Sequence, residues 1–214
     1  MCAVIGRSEV IVKTVGESLG FSSREQSDTE LVVRVKAGDA GAFGELLQRH
    51  QHAVYGIVSG MINTRDDVDD VVQIIFVQAF ASIGKFRCDS AFSTWLYRIA
   101  VNMSIKHRKK IKSRLAVSID DPVMGLSDIL TSPEGSRPDK IAEQNAKSRA
   151  LRKAIETLPD KHRIVVVLRY FREFSCEEIA RILGCSVGTV WSRLHYSCMK
   201  LQSQLGWFVG ESES

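Results

Sequence analysis

Apolar residues recur at helical spacing through two long blocks, residues 28 to about 112 and 140 to about 206. Between Asp66 and Ile83, the apolar positions close to i, i+3, i+4 and i+7 are Val68, Val71, Val72, Ile75, Phe76, Ala79 and Phe80. No stretch of the sequence shows the alternation that is typical of a strand. The pattern therefore predicts an all-α fold of two small helical domains.

Residues 113–139 separate the two blocks and contain three of the four prolines, together with glycines and several serines. We expect a flexible linker here. The wider stretch from Leu115 to Ala146 holds six acidic and two basic residues, so the tether is acidic. Residues 1–27 lack a sustained period and are expected to form a poorly ordered extension, and residues 207–214 form a tail.

The second block contains the pattern of a helix-turn-helix. Ser175 and Glu178 have the spacing of a capping box, Gly184 ends the short helix, and Ser186 caps a longer helix that runs to about Leu205. The expected small core consists of Ile179, Ala180, Ile182, Leu183, Val187, Val190 and Leu194. The outward positions of the longer helix are of types that bind bases and phosphates, and they are Thr189, Ser192, Arg193, Tyr196 and Lys200. A helical hairpin inside another all-α fold is the alternative.

A run of basic residues ends the first block. Between Trp95 and Arg114 there is no acidic residue, and the seven basic ones are Arg98, Lys106, Arg108, Lys109, Lys110, Lys112 and Arg114. Cations are favoured at the end of a helix, so a solvated C-terminus is one interpretation. Seven uncompensated cations exceed that need and predict a second surface that binds a phosphate backbone.

A third surface has the opposite charge. The start of one predicted helix carries four aspartates, Asp66, Asp67, Asp69 and Asp70. Negative charge at this end interacts favourably with the helix dipole. The helical wheel directs Asp66, Asp70, Gln73 and Val77 away from the apolar stripe, with Ile74 at the edge of the same face. An outward face that mixes carboxylates with aliphatic side chains favours a protein-binding surface over a merely solvated acidic one.

The composition excludes several classes of protein. No window approaches the roughly 18 apolar residues of a membrane helix, and charges interrupt the first 21 residues, so we expect no stable membrane insertion and a cytoplasmic location. Five cysteines without C-x-x-C spacing argue against a disulfide framework or a zinc site. The net charge of +4 permits a polyanionic partner without demanding one.

No motif in the sequence indicates catalysis or a cofactor. A P-loop, a Ser-His-Asp arrangement and a metal-spaced histidine cluster are all absent from the sequence, so we expect a protein that is not an enzyme. The strongest enzyme hypothesis uses Asp66, Asp67, Asp69 and Asp70 as a Mg²⁺-binding cluster like that of prenyl-transferring enzymes. Such enzymes need two aspartate clusters, and this sequence contains only the one.

Three strings, in order, resemble the sigma-70 family of bacterial transcription initiation factors, in particular its extracytoplasmic function (ECF) group. They are DVDDVVQIIF from Asp67, FSTWLYRIAVN from Phe92, and the run from Leu158-Pro159 through FSCEEIA to GTVWSRL, which ends at Leu194. The resemblance covers roughly Asp28 to Leu205. It implies a region 2 domain over 28–112 and a region 4 domain over 140–206.

The family's properties assign roles to the three surfaces. The resemblance implies that the face of Asp66, Asp70, Gln73, Ile74 and Val77 binds the largest-subunit coiled coil of core RNA polymerase. The family usually has Glu after that Gln, so Ile74 departs from its pattern. It also implies that the acidic linker threads the polymerase's active-site and RNA-exit channel, and that an anti-sigma factor is often a further partner.

The resemblance assigns the promoter −35 element to the outward residues of the helix-turn-helix and adds Ser186 to them. The −10 element falls to the loop from Lys85 to Ser90 and the helix after it, with the candidates Arg87, Asp89, Tyr97, Arg98, Asn102, Lys106 and Arg108. We expect Tyr97→Ala to leave folding intact but to weaken open-complex formation, and Trp95, on the apolar face, to belong to the core. The alternative function is a helix-turn-helix regulator that does not engage polymerase.

Overall fold

A computed structural model describes residues 26–117 and 138–206 of the chain, and side chains over 26–114 and 146–206. These residues form helices and no strand, as predicted. The N-terminal unit consists of α1 (Asp28–Lys36), α2 (Ala40–Met61), α3 (Arg65–Ser82), a 3₁₀ turn (Ile83–Lys85) and α4 (Phe92–Val117). The C-terminal unit consists of α5 (Pro138–Glu156), α6 (Asp160–Val166), a π-helical turn (Val167–Phe171), α7 (Cys176–Leu183) and α8 (Val187–Leu205).

The N-terminal unit begins at a capping box one residue earlier than the sequence pattern placed it. The Ser27 hydroxyl accepts from the backbone N–H of Glu30, and the Glu30 carboxylate accepts from the backbone N–H of Ser27. Asp39 caps α2 by accepting from the N–H of Ala42. Phe80, expected in the core, is half exposed and meets the edge of Phe43 at 5.0 Å between ring centroids.

The helix-turn-helix forms as its local signals predicted. Ser175 and Glu178 make a reciprocal capping box at the start of α7. Gly184 ends that helix at φ +64°, a left-handed conformation in which glycine avoids the strain of a side chain. Ser186 then caps α8 by accepting from the N–H of Thr189. The expected core residues Ile179, Ala180, Ile182, Val190 and Leu194 are buried, and Leu183 and Val187 pack against them.

The two units share one apolar core. A single cluster joins buried residues of α1–α4 to Val165, Val167 and Leu168 of the C-terminal unit and to the core of the helix-turn-helix. A smaller cluster of Ile155, Leu158 and Val166 lies within the C-terminal unit. The predicted linker, 113–139, starts inside α4, which extends to Val117, and residues 118–137 lie outside the described part of the chain. Residues 1–25 and the tail 207–214 lie outside it as well.

Candidate nucleic-acid and polymerase interfaces

The outer face of α8 is built from its N-cap outward. Ser186 and Ser192 are exposed, and Thr189 is half-buried between them. The hydroxyls of Ser186 and Thr189 lie 2.8 Å apart, and Ser192 donates to the backbone oxygen of Thr189 at 3.0 Å. These local bonds fix the rotamers of three small polar side chains on one surface. Trp191, on the same helix, is exposed to solvent.

Two cations, Arg193 and Lys200, follow further along α8 and form what we call its cationic stripe. The ring of Tyr196 lies 4.5 Å from that of His162 at the start of α6, measured between centroids. Partial burial lowers the pKa of the His162 imidazole, and the positive charges of Arg193 and Lys200 lower it further. Arg193 and Lys200 therefore both lie close enough to His162 to disfavour its protonation. Together with Tyr196, they share the face that the resemblance assigned to the −35 element.

The outer face of α3 has the mixed character that the sequence predicted. Asp66, Asp70 and Gln73 are exposed, and Ile74 and Val77 are 50% and 70% exposed. Phe80, which the sequence assigned to the core, extends the exposed apolar surface toward the end of the helix. All five candidate polymerase contacts therefore lie in solvent on one helix, and their role in binding stays a prediction.

The −10 candidates divide into a group that lies clear of the C-terminal unit and a group that meets it. Arg87 and Asp89 are exposed in the loop before α4 and approach each other at 4.0 Å. Asn102 and Lys106 are also exposed. Tyr97, Arg98 and Arg108, by contrast, meet the C-terminal unit. The resemblance placed these residues along the −10 strand and did not account for a second unit packed against the same helix.

Tyr97 is only 9% exposed and is held at both ends. Its ring lies 5.5 Å from that of Phe174, between centroids, and its hydroxyl is 3.2 Å from Nδ1 of His50. The other nitrogen of His50 lies 2.7 Å from a carboxylate oxygen of Asp28. Burial raises the pKa of the Tyr97 phenol. Sequence analysis missed His50 and Asp28, because residues so far apart in the chain carry no common local signal.

Arg98 bridges the units through the end of α7. Its guanidinium donates to the backbone oxygens of Arg181 at 2.7 Å and Ile182 at 3.2 Å. These are carbonyls of the last turn of α7, where the helix dipole favours a cation. Arg98 therefore satisfies backbone acceptors of the helix-turn-helix from the opposite unit.

Arg108 is 8% exposed and also bridges the units. It lies 3.0 Å from a carboxylate oxygen of Asp160 in α6 and donates to the backbone oxygen of Met61 at 3.3 Å. Lys112 approaches the same Asp160 carboxylate at 3.6 Å. Burial lowers the pKa of the Arg108 guanidinium, against the opposing effect of Asp160 and Glu156.

Trp95 takes the structural role that its apolar position predicted. It is partly buried, and its ring lies 5.1 Å from Phe86 and 5.7 Å from Phe92, between centroids. The three rings pack the loop between α3 and α4 against the N-terminal unit. Trp95 thus supports the loop that carries Arg87 and Asp89.

The described residues offer no built metal centre. No group of three or more His, Cys, Asp or Glu side chains within 26–117 and 138–206 is arranged to hold a metal ion. None of the helices described is both long and apolar enough to span a membrane. The aspartates of α3 lie along the surface of that helix, and Asp67 bonds the Thr64 hydroxyl.

Comparisons with known proteins agree with the two units. Residues 46–114 match the sigma-70 region 2 family, and residues 148–201 match the family of sigma-70, region 4. The chain is 38% identical to the ECF RNA polymerase sigma-E factor of Escherichia coli over 80% of this chain and 91% of that protein. It is 34% identical to the RNA polymerase sigma-H factor of Pseudomonas aeruginosa, over 79% of this chain and 89% of that one.

A solved structure has a similar arrangement of helices. CnrH, in complex with the cytosolic domain of CnrY, matches 85% of this chain and 98% of its own length, at a TM-score of 0.60 and 27% identity.

Proposed function

The chain belongs to the ECF RNA polymerase sigma factors, and from that premise we propose how its surfaces divide the work of transcription initiation. The sigma factor binds core RNA polymerase, recognises the −35 and −10 elements and promotes initiation without catalysing a reaction of its own. We assign the −35 element to α8, the −10 element to α4 and the loop before it, and polymerase binding to α3. The boundaries 28–112 and 140–206 mark the two proposed functional domains.

The observation that carries this proposal is the capped helix-turn-helix with an exposed polar face. Ser186, Thr189 and Ser192 are ordered by their own hydrogen bonds, so less side-chain entropy is lost when they contact DNA. Arg193 can donate two parallel hydrogen bonds to guanine, and Lys200 can contact a phosphate. One helix thus offers base-specific and backbone contacts together.

The face of α3 supports the polymerase assignment. Its exposed carboxylates suit a basic partner, and the exposed Ile74 and Val77 supply apolar area that a flat acidic surface lacks. Ile74 stands where the family usually has Glu, so we propose that an apolar contact replaces a polar one there. Burial of this aliphatic side chain in a partner is worth about 1.5–3 kcal/mol when complete.

Two further assignments extend from the relatives to this chain. CnrH was solved with the cytosolic domain of CnrY, and we propose that this sigma factor likewise binds a protein partner and that this partner is an inhibitory anti-sigma factor. We place the action of the sigma factor itself in the cytoplasm, where bacterial polymerase transcribes the chromosome. The acidic linker is proposed to enter a basic channel of the polymerase.

Reconstituted transcription tests the function. Purified protein, bacterial core polymerase and a genomic promoter library are combined, and transcript starts are sequenced. Starts that share one −35 and −10 pair and disappear without the protein are the expected result. Sequence-specific binding to duplex DNA by the protein alone, with no transcript starts, would instead establish the helix-turn-helix regulator that does not engage polymerase.

A further inference from the structure

His162 is a titratable side chain that lies directly behind the proposed −35 face. It stands near the start of α6, and its ring is tilted by 47° against that of Tyr196, with 4.5 Å between the centroids. Tyr196 is 47% exposed, so much of its ring remains open to a ligand. An aromatic ring that is packed on one side and open on the other offers contact area at a low cost in conformational entropy. His162 therefore supports a side chain of the −35 face from within the protein.

The backbone of His162 is held against the same turn of α8. Its N–H donates to the backbone oxygen of Pro159 at 2.8 Å, in the first turn of α6. Ser197 is fully buried, and its hydroxyl lies 3.4 Å from the backbone oxygen of His162 and 2.7 Å from that of Arg193. A hydroxyl has a single proton, so this one bonds the nearer oxygen and packs against the other. The two helices are thus fixed side by side at the residues that carry the two rings.

The cationic stripe of α8 surrounds this pair of rings. Arg193 precedes Tyr196 by three residues and Lys200 follows it by four, which places all three on one face of the helix. Both cations act on the His162 imidazole. Charged or titratable groups on α6 and on the elements packed against it meet other partners: Asp160 meets Arg108 and Lys112, Arg163 meets Gly60 and Asn63, Arg169 meets Phe174, Tyr170 meets Cys198, and Arg172 lies against Gly56. Lys161 is exposed, and Glu156 of α5 acts on Arg108 and Arg163.

The free protein disfavours a proton on His162 for two reasons. Nδ1 of the ring is buried, with no hydrogen-bond partner among the residues that the structure describes. An imidazolium carries N–H groups on both nitrogens, so protonation would leave a buried donor without an acceptor. Burial chiefly, and repulsion from Arg193 and Lys200 in addition, lower the pKa of His162. DNA phosphates would neutralise both cations and bring negative charge to the same face, so attraction would replace the repulsion.

We propose that His162 is a positioning residue of the −35 interface, which supports the Tyr196 ring and takes up a proton from solvent when DNA phosphates bind at Arg193 and Lys200. The inference rests on the proposed assignment of the −35 element to α8. A group that holds a proton more tightly in the complex than in the free protein makes the affinity rise as the pH falls. Binding of the −35 element by this sigma factor is then linked to pH.

The pH dependence of binding by the holoenzyme tests the uptake of the proton. The full chain is combined with bacterial core polymerase, and affinity is measured at pH 8.0 and 6.0 for a duplex that carries the −35 element of a promoter identified by transcript sequencing. His162→Phe keeps an aromatic ring against Tyr196 but cannot be protonated. We expect the wild type to gain about threefold more affinity on acidification than His162→Phe, since half a unit of pKa corresponds to about threefold. An equal gain in both would overturn the proposal.

A second comparison tests the support of Tyr196. His162→Ala removes the ring, and at pH 8.0 it should bind the −35 duplex about threefold more weakly than His162→Phe, because the aromatic pair is lost. Equal affinity of these two variants, each shown to be folded by urea denaturation, would overturn the positioning role. His195→Gln, at an exposed histidine of α8, is the matched control and should keep the pH dependence of the wild type. If His162→Ala does not fold, the pH dependence of His162→Phe still decides the proposal.

The outcomes separate this inference from the proposed function. A holoenzyme that binds the −35 duplex no better than a shuffled duplex would refute the assignment of α8, and this inference with it. Specific binding with the same pH dependence in the wild type and His162→Phe would refute this inference alone.

Discussion

Two polar helical faces of this protein are proposed to bind DNA, and the structure treats them differently. On α8, the serines and threonine bond one another and leave the face open. On α4, Arg98 donates to backbone oxygens of the opposite unit, Arg108 forms an ion pair with Asp160 of that unit, and Tyr97 is packed against Phe174. Polar side chains of similar types are therefore available in one place and already partnered in the other.

The difference teaches that the chemistry of a face does not decide its accessibility. The outer face of α8 meets DNA with little rearrangement, whereas the covered part of α4 must exchange internal partners for external ones. An exchange of partners contributes less net free energy than a new contact, because the internal interactions are lost. The comparison predicts that −10 contacts made by Tyr97 and Arg108 require the loss of their internal contacts, whereas −35 contacts made by α8 do not.

The largest expected effect comes from the helix that supports both faces. Ile179 of α7 is fully buried, in the core that joins α7 to α8 and to the N-terminal unit. Ile179→Ala should lower the free energy of unfolding by about 2–5 kcal/mol, through lost burial and the cavity that remains. Urea denaturation measures this change. Ile74→Ala, at an exposed isoleucine of α3, is the control and should change stability by less than about 0.5 kcal/mol.

The open face is tested at Arg193. If Arg193 recognises a base, Arg193→Ala should cost about 1–3 kcal/mol of −35 binding and relax sequence preference at one position. Footprinting on a promoter series with polymerase present measures both. Arg149→Ala removes an exposed arginine of α5 and serves as the charge control. A footprint identical to the wild type in Arg193→Ala would contradict the assignment of α8.

The covered face is tested at Tyr97, where burial changes the expectation from sequence. Tyr97→Ala should lose stability as well as open-complex formation, because its ring fills the contact with Phe174. Tyr97→Phe keeps the ring and removes only the hydroxyl near His50, at a cost of about 0.5–1.5 kcal/mol. Permanganate reactivity of the −10 thymines should be retained in Tyr97→Phe and lost in Tyr97→Ala. Retention of permanganate reactivity in both variants would show that Tyr97 does not contact the melted strand.

Local signals in the sequence predicted most of the elements. The capping box of Ser175, the turn at Gly184 and the cap at Ser186 each involve residues three or fewer apart, so the sequence displays them directly. Helical periodicity likewise identified the exposed face of α3. It did not predict the π-helical turn at Val167–Phe171 that ends α6, which packs against α2 beside Gly56 and Gly60.

The contact between the units was not predictable in the same way. Arginine and tyrosine are usually exposed in part, so nothing in the sequence indicated that Tyr97 and Arg108 are buried. Their partners lie tens of residues away in the chain, and periodicity carries no information about which helices meet. The pair Gly56 and Gly60, one helical turn apart on α2, was a local sign of a close approach.

The smallest expected effect is on the pH dependence of stability, through His162 at the edge of the open face of α8. The pKa of His162 in the folded protein is lowered, chiefly by partial burial and further by Arg193 and Lys200, so the unfolded chain binds a proton more readily there. His162 should therefore contribute stability above its ordinary pKa of about 6.5, and that contribution should be lost as the pH falls toward the lowered value. Urea denaturation at pH 7.5 and 5.5 should show a shallower loss of stability on acidification in His162→Gln than in the wild type. His195→Gln, at an exposed histidine of α8, is the control and should retain the wild-type dependence. An equal pH dependence in His162→Gln and the wild type would show that neither burial nor the neighbouring cations lower the pKa of His162 in the folded protein.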